Sequence, residues 1–94
     1  MIMSLKIKQT NTFKKYIKKL SIRDKKEVDG VVKLIAKDPF IGEQKKGDLD
    51  FLRVYKFKLN KQLILLGYNY NDGLLTLTLL KIGSHENFYR DIRR

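Results

Sequence analysis

The apolar residues of this 94-residue chain change their spacing near the middle of the sequence, and that change limits the fold more than any other feature. Between Phe13 and Pro39 they recur every three or four residues, as in amphipathic helices. After Phe51 they alternate with other residues, which is typical of half-buried strands. The hydrophobic fraction of 43% is ordinary for a folded domain. We therefore expect a single domain over residues 1–94, with its helices before most of its strands.

Capping and turn residues separate the predicted elements. Thr10, Asn11 and Thr12 can cap a first helix, and Ser21 can cap a second that closes at Asp38-Pro39. Gly30 makes a kink or an early end of that second helix possible. The predicted order is a strand at 4–8, helices at 13–20 and 21–38, a loop at 40–50, strands at 52–59, 63–70 and 74–82, and a short helix at 84–94.

Two short turns are expected to join the last three strands. Asn60-Lys61 is the first turn, and Asn71-Asp72-Gly73 is predicted to supply the positive backbone dihedrals of a tight hairpin. The resulting fold class is α+β, with an N-terminal helical hairpin packed on one face of a small antiparallel sheet and a short C-terminal helix. The other face is then expected to be free and basic; it would carry Val54, Lys56, Lys58, Thr76 and Thr78.

The charge indicates a polyanionic partner. Lys and Arg number 21 against 10 Asp and Glu, for a net charge of +11. Such a field favours binding to nucleic acid or to an acidic protein. The chain has no cysteine and a single histidine, so a cysteine-based scaffold is excluded and no metal site is expected. No apolar run approaches the roughly 18 residues of a membrane span, and we expect a soluble cytoplasmic protein.

The residues available for chemistry suit a metal-free cleavage of RNA. That reaction needs a base for the 2′-hydroxyl, an acid for the leaving 5′-oxygen and cations over the phosphate. His85 can take and give a proton near neutrality, and Tyr89 lies one helical turn later. Structural roles remain open at this point: His85 at a helix end, Tyr89 in the core, and Lys56 and Lys58 as solubilising strand lysines.

Three segments resemble the RelE/ParE superfamily of bacterial type II toxins. They are Tyr55–Leu59 (YKFKL), Leu65–Tyr68 (LLGY) and Gly83–Asp91 (GSHENFYRD). The resemblance implies the RelE/ParE-like fold, no cofactor and an acidic antitoxin as partner. RelE-like members cut mRNA in the ribosome, so the resemblance implies an mRNA interferase that inhibits translation and growth. ParE-like members instead poison DNA gyrase without catalysis, which is the alternative.

The resemblance also implies roles for individual residues. His85 and Tyr89 match the catalytic positions near the C-terminus, and Lys56 and Lys58 match the paired strand lysines. Active RelE-like toxins often carry an arginine on the middle strand, where this chain has Leu65. Arg90, or less favourably Arg53, is then expected to contact the phosphate, and no metal is involved. A non-toxic nucleic-acid-binding module is a third hypothesis, from a different class.

Overall fold

A computed structural model describes the backbone of residues 5–92 and the side chains of residues 5–90. The predicted starting point of the first strand, Ser4, and the predicted end of the last helix, Arg94, lie outside these residues. The elements are β1 (Lys6–Gln9), α1 (Asn11–Lys18), α2 (Ile22–Lys37), β2 (Glu43–Gln44), a 3-10 turn (Gly47–Leu49), β3 (Arg53–Leu59), β4 (Gln62–Asn71), β5 (Thr76–Ser84) and α3 (His85–Ile92).

The strands form one mixed sheet in the order β1-β5-β4-β3-β2. The pairs β2–β3, β3–β4 and β4–β5 are antiparallel, as expected for strands joined by short turns. β1 lies parallel to β5, because the chain crosses the helical hairpin before it returns to the sheet. The α+β prediction is confirmed, and the expectation of a purely antiparallel sheet is corrected by this one parallel strand.

Both N-terminal helices begin at the predicted hydroxyl caps. The Thr10 hydroxyl accepts a hydrogen bond from the Phe13 backbone N–H at 3.1 Å, and the Ser21 hydroxyl accepts one from the Asp24 N–H at 3.1 Å. α2 continues through Gly30 to Lys37, so the glycine does not end it. None of the helices within residues 5–92 is long and apolar enough to cross a membrane.

The two predicted turns have different outcomes. Asn60 (φ 53°) and Lys61 (φ 67°) both adopt the left-handed conformation of a two-residue hairpin, so this turn is confirmed. The prediction of positive dihedrals at 71–73 is wrong, because the positive φ of the next hairpin lies at Leu75 (φ 48°). The Asn71 side-chain oxygen accepts from the Leu74 N–H at 3.0 Å and closes a longer turn, and β5 begins only at Thr76.

Each face of the sheet carries its own apolar cluster. The cluster on the α1–α2 face contains Phe13, Val28, Ile35, Leu59, Ile64, Leu66, Tyr68, Leu77, Leu79 and Ile82. A smaller cluster on the other face contains Leu49, Leu52, Val54, Leu65 and Phe88. The expectation of a free second face is therefore wrong: α3 folds back over the sheet and buries Phe88 and Val54. A Cβ at Gly67 would lie only 2.5 Å from the Phe88 ring, so the helix rests directly on this glycine.

Candidate active site

Two exposed lysines lie on the α3 face of β3. The alternation of β3 is as predicted: Tyr55 and Phe57 pack towards the helical hairpin, and Lys56 and Lys58 face the other way. Lys56 is paired with Leu65 of β4, and Lys58 is paired with Leu63. Leu63 and Leu65 both belong to the apolar layer on the α3 side. The two ammonium groups therefore border an apolar floor beside α3.

His85 lies across that floor from the lysines. Ser84 is paired with Ile64, so His85 follows at the level of Leu63 and begins α3. Lys58 and His85 are then separated by two strand spacings, or about 10 Å between backbones. His85 is exposed and lines a cavity of about 200 Å³ with Gln62, Leu63, Ser84 and Glu86. Lys56 and Lys58 are not among the residues that line this cavity; they lie on β3, on the other side of Leu63 and Leu65.

Tyr89 lies one helical turn after His85, on the same flank of α3. Its ring packs edge-on against Phe88 with centroids 4.9 Å apart and is half-buried. The Lys45 Nζ lies 5.7 Å from the centre of the Tyr89 ring. The side of α3 that faces β3 therefore carries an imidazole at its start and a phenol beside an ammonium group one turn further on.

Lys45 is a site residue that sequence reasoning missed. Its ammonium group contacts the Glu43 carboxylate at 3.3 Å, and its side chain is only 23% exposed. Partial burial lowers the pKa of Lys45, but hydrogen bonds with Tyr89 and Glu43 outweigh it and the net shift is upward. Lys45 therefore remains a cation held against Tyr89. No local pattern could predict this contact, because 44 positions separate the two residues and the segment of Lys45 reads as a loop.

Neither of the two predicted arginines, Arg53 and Arg90, lies on the apolar floor beside α3. Arg90 is exposed and follows Phe88 by two residues, which places it on the outer side of α3, away from the sheet. Arg53 lies on the hairpin face, where its Nη1 donates to the Gly42 carbonyl at 2.8 Å and to the Phe40 carbonyl at 3.2 Å. Its guanidinium also lies 5.0 Å from the centre of the Phe40 ring. These contacts hold the loop that follows α2, on the side of the sheet opposite to Lys56 and Lys58.

Leu65 has a structural role at the position where the sequence lacks the middle-strand arginine. Its side chain is fully buried in the cluster that contains Val54 and Phe88. A charged guanidinium in that place would lose its hydration beneath α3. Leu65 and α3 therefore form one packed layer. An arginine that contacts a phosphate has to lie on another element.

Comparison with known proteins shows the family of this chain. A family model described as the ParE-like toxin of type II bacterial toxin–antitoxin systems matches residues 7–93. A search of curated proteins gives no significant match.

Solved structures with the same fold cover most of the chain. A chain of the intact E. coli RelBE toxin–antitoxin complex is similar with a TM-score of 0.68 and 17% identity, covering 86% of this chain and 96% of that one. The archaeal RelE–RelB complex from Pyrococcus horikoshii gives a TM-score of 0.62 and 17% identity, with coverage of 87% and 96%. A conserved hypothetical protein from Helicobacter pylori gives 0.54 and 25% identity, with coverage of 88% and 97%.

Proposed function

Because the chain belongs to the ParE-like toxins of type II bacterial toxin–antitoxin systems, in the RelE/ParE superfamily, we propose that it arrests growth as a metal-independent endonuclease of mRNA on the ribosome. The observation that supports this activity most directly is the cleft beside α3. There His85 lies at the level of Leu63, about 10 Å between backbones from Lys58, and Lys56 and Lys58 are exposed at the border of the same apolar layer. We therefore assign proton transfer to His85 and neutralisation of the phosphate to the two lysines of β3.

The reaction needs only groups that border this cleft. A base removes the proton of the 2′-hydroxyl, and that oxygen attacks the adjacent phosphorus. The bond to the 5′-oxygen breaks, and an acid gives this oxygen a proton, which leaves a 2′,3′-cyclic phosphate and a 5′-hydroxyl. His85 and Tyr89 act as the acid/base pair. Lys56 and Lys58 stabilise the charge that develops on the phosphate oxygens.

The test is to express the chain and to map RNA ends. Expression is expected to stop growth, with new 5′ ends inside translated regions. His85→Gln should reduce cleavage at least about a hundredfold. Because His85 is exposed, the variant should unfold at the temperature of the unsubstituted chain. Asn11→Ala, an exposed polar substitution on α1, serves as the control and should cut normally. A fully active His85→Gln variant would remove the proposed chemistry.

One observation favours inhibition of DNA gyrase as the second candidate. The middle-strand position carries a buried leucine, Leu65, and a non-enzymatic toxin needs no phosphate ligand there. In that case expression should induce the DNA-damage response while mRNA stays intact, and His85→Gln should stay toxic. The same RNA-end mapping, combined with a damage reporter, separates the two functions.

The antitoxin partner is proposed to be acidic and to cover the helical hairpin beside β1. β1 is an edge strand, and a groove of about 300 Å³ lies between it and the two N-terminal helices. Its apolar lining includes Ile7, Phe13 and Val32, and its charged lining residues are Lys25 and Asp29. The neighbouring helix α1 adds the exposed lysines Lys14, Lys15 and Lys18. An acidic segment with apolar anchors complements this surface. Ile7→Glu should leave toxicity intact and weaken rescue by the co-expressed antitoxin; unchanged rescue would contradict this placement.

A further inference from the structure

A second cavity meets the His85 cavity at the start of α3. It has a volume of about 310 Å³, and its polar side chains are Tyr16, Gln62, Lys81, Ser84 and Asn87. Gln62 and Ser84 line both cavities, so the two cavities are neighbours. The first turn of α3 divides them, with His85 on one side and Asn87 on the other. An RNA strand bound at His85 would therefore pass next to the second cavity.

We propose that this second cavity binds the nucleobase next to the cleaved phosphate and sets the base preference of the cut. The proposal rests on the ribonuclease function proposed above. It assigns a specificity role to Gln62, Asn87 and Tyr16. Asn87 lies in the GSHENFYRD segment, but the family resemblance gave none of these three residues a role. The occupant is one RNA base, since a volume of about 310 Å³ is at the lower end of the roughly 300–1,000 Å³ of small-ligand sites.

The chemistry of the lining suits the edge of a base. Amide side chains present an N–H donor and a carbonyl acceptor side by side, which is the pattern found on the hydrogen-bonding edges of nucleobases. The Asn87 Nδ2 donates to the Ser84 hydroxyl at 3.2 Å, and this contact orients the amide while its carbonyl oxygen can still accept from a ligand. Within residues 5–90, Gln62 makes no side-chain hydrogen bond and is exposed at the junction of the two cavities.

Tyr16 supplies an aromatic wall. Its side chain is half-buried between α1 and the sheet, and burial together with the Asp24 carboxylate raises its pKa. The phenol therefore stays protonated and can donate a hydrogen bond at physiological pH. Aromatic rings and amide groups are the elements with which proteins usually recognise single-stranded RNA bases. Lys81 also lines the cavity, but its Nζ is buried and adds no exposed charge.

The first experiment measures base preference. RNA 5′ ends are mapped after expression of the unsubstituted chain, of Gln62→Ala, of Asn87→Ala and of the control Asn11→Ala. We expect one position next to the cut to show a base preference that falls about fivefold in either cavity variant, as for one lost hydrogen bond. The control Asn11→Ala should keep both the total cleavage and the base preference of the unsubstituted chain within about twofold. An unchanged preference in both variants would overturn the proposal.

The second experiment measures base binding without cleavage. The inactive His85→Gln variant is titrated with each of the four ribonucleoside 3′-monophosphates, and the side-chain amide signals of Gln62 and Asn87 are followed by NMR. One base should shift these signals more than the other three, and Tyr16→Leu should reduce that difference. Equal shifts for all four bases, or none, would refute a base-selective cavity. If the unsubstituted chain cuts no RNA yet binds one base selectively, the ribonuclease proposal fails and the base site stands.

Discussion

The two faces of the sheet are built differently. Within residues 5–92, ten buried apolar side chains form the cluster beneath the helical hairpin, and five form the cluster beneath α3. The hairpin covers its face with two helices, whereas the α3 face is covered by one helix of eight residues and the turn around Leu49. The α3 face keeps Lys56, Lys58 and His85 exposed beside this thin layer.

This difference separates stability from chemistry. The larger cluster supplies most of the apolar burial that opposes the entropy of the unfolded chain. The smaller cluster needs only to hold α3, and so it can leave charged groups at its border in contact with water. Substitutions of exposed residues on the α3 face should therefore change activity and spare stability, and substitutions beneath α3 should change both.

The largest expected effect comes from the paired lysines. Lys56→Gln/Lys58→Gln removes both charges opposite His85 and should lower RNA cleavage about a hundredfold. Lys14→Gln/Lys18→Gln removes the same charge from the exposed face of α1 and controls for the general attraction of RNA. It should lower cleavage only severalfold, and less as salt is raised. Equal losses in the two double variants, measured on one RNA, would show that β3 has no special role.

The next effect tests how α3 is attached. Gly67→Ala places a methyl group 2.5 Å from the Phe88 ring and 3.0 Å from Leu52, so the helix has to shift. We expect a loss of about 1–3 kcal/mol in the free energy of unfolding, together with reduced activity. Gly83→Ala is the matched control, because a Cβ at Gly83 meets nothing within 4 Å. Urea unfolding should find the control within about 0.5 kcal/mol of the unsubstituted chain; similar losses in both would disprove direct packing on Gly67.

Most of the hairpin side of the fold could be predicted, since its signals are local. The hydroxyl caps at Thr10 and Ser21 and the change of apolar period fall where the helices and strands occur. Two features could not be predicted in this way. β2 has only two residues and depends on its pairing with β3. The docking of α3 depends on Gly67, because the Phe88 ring fills the space that a side chain at Gly67 would occupy. This contact can be recognised only when the residues on both faces of β4 are known.

The candidate site could be predicted in part for the same reason. Strand alternation places Lys56 and Lys58 on one side, and helical spacing puts His85 and Tyr89 on one flank of α3. The distance between the lysine pair and the His85–Tyr89 pair depends on the register of β4 with β3 and β5. This register brings Lys58 and His85 to the level of Leu63. Lys45 and Gln62 enter the site through this tertiary arrangement, and no pattern in their own segments marks them.

A smaller effect is expected from Lys45, which connects the site to the segment before β3. Lys45→Gln removes the cation beside Tyr89 and should slow cleavage about twofold to fivefold, the equivalent of roughly 0.5–1 kcal/mol. Lys46→Gln removes a charge from the exposed neighbouring lysine and should leave the rate almost unchanged. Lys45→Arg should restore most of the rate while RNA affinity stays constant. A rate loss in Lys46→Gln as large as in Lys45→Gln would make the effect one of net charge.

The smallest effect concerns alkaline pH and belongs to the hairpin face. Burial raises the pKa of Tyr68 above the ordinary value of 10.0 and Asp38 adds to it, although the Gly42 N–H and Arg53 act in the opposite direction. The folded chain therefore holds this proton more tightly than the unfolded chain. The resulting stability is fully present below pH 10 and is lost as the pH rises through the pKa of the folded state. Urea unfolding between pH 8 and about 11 should show the decline.

Tyr68→Phe isolates this contribution. The hydroxyl donates to the Pro39 carbonyl at 2.8 Å and accepts from the Gly42 N–H at 2.9 Å, so its removal should cost about 1 kcal/mol at pH 8. Above pH 10 the variant has no phenol to ionise at this position, and its stability should fall less steeply than that of the unsubstituted chain. The two curves should therefore converge as the pH rises. Parallel curves would mean that the loss comes from deprotonation of surface lysines, and that the buried phenol has no part in it.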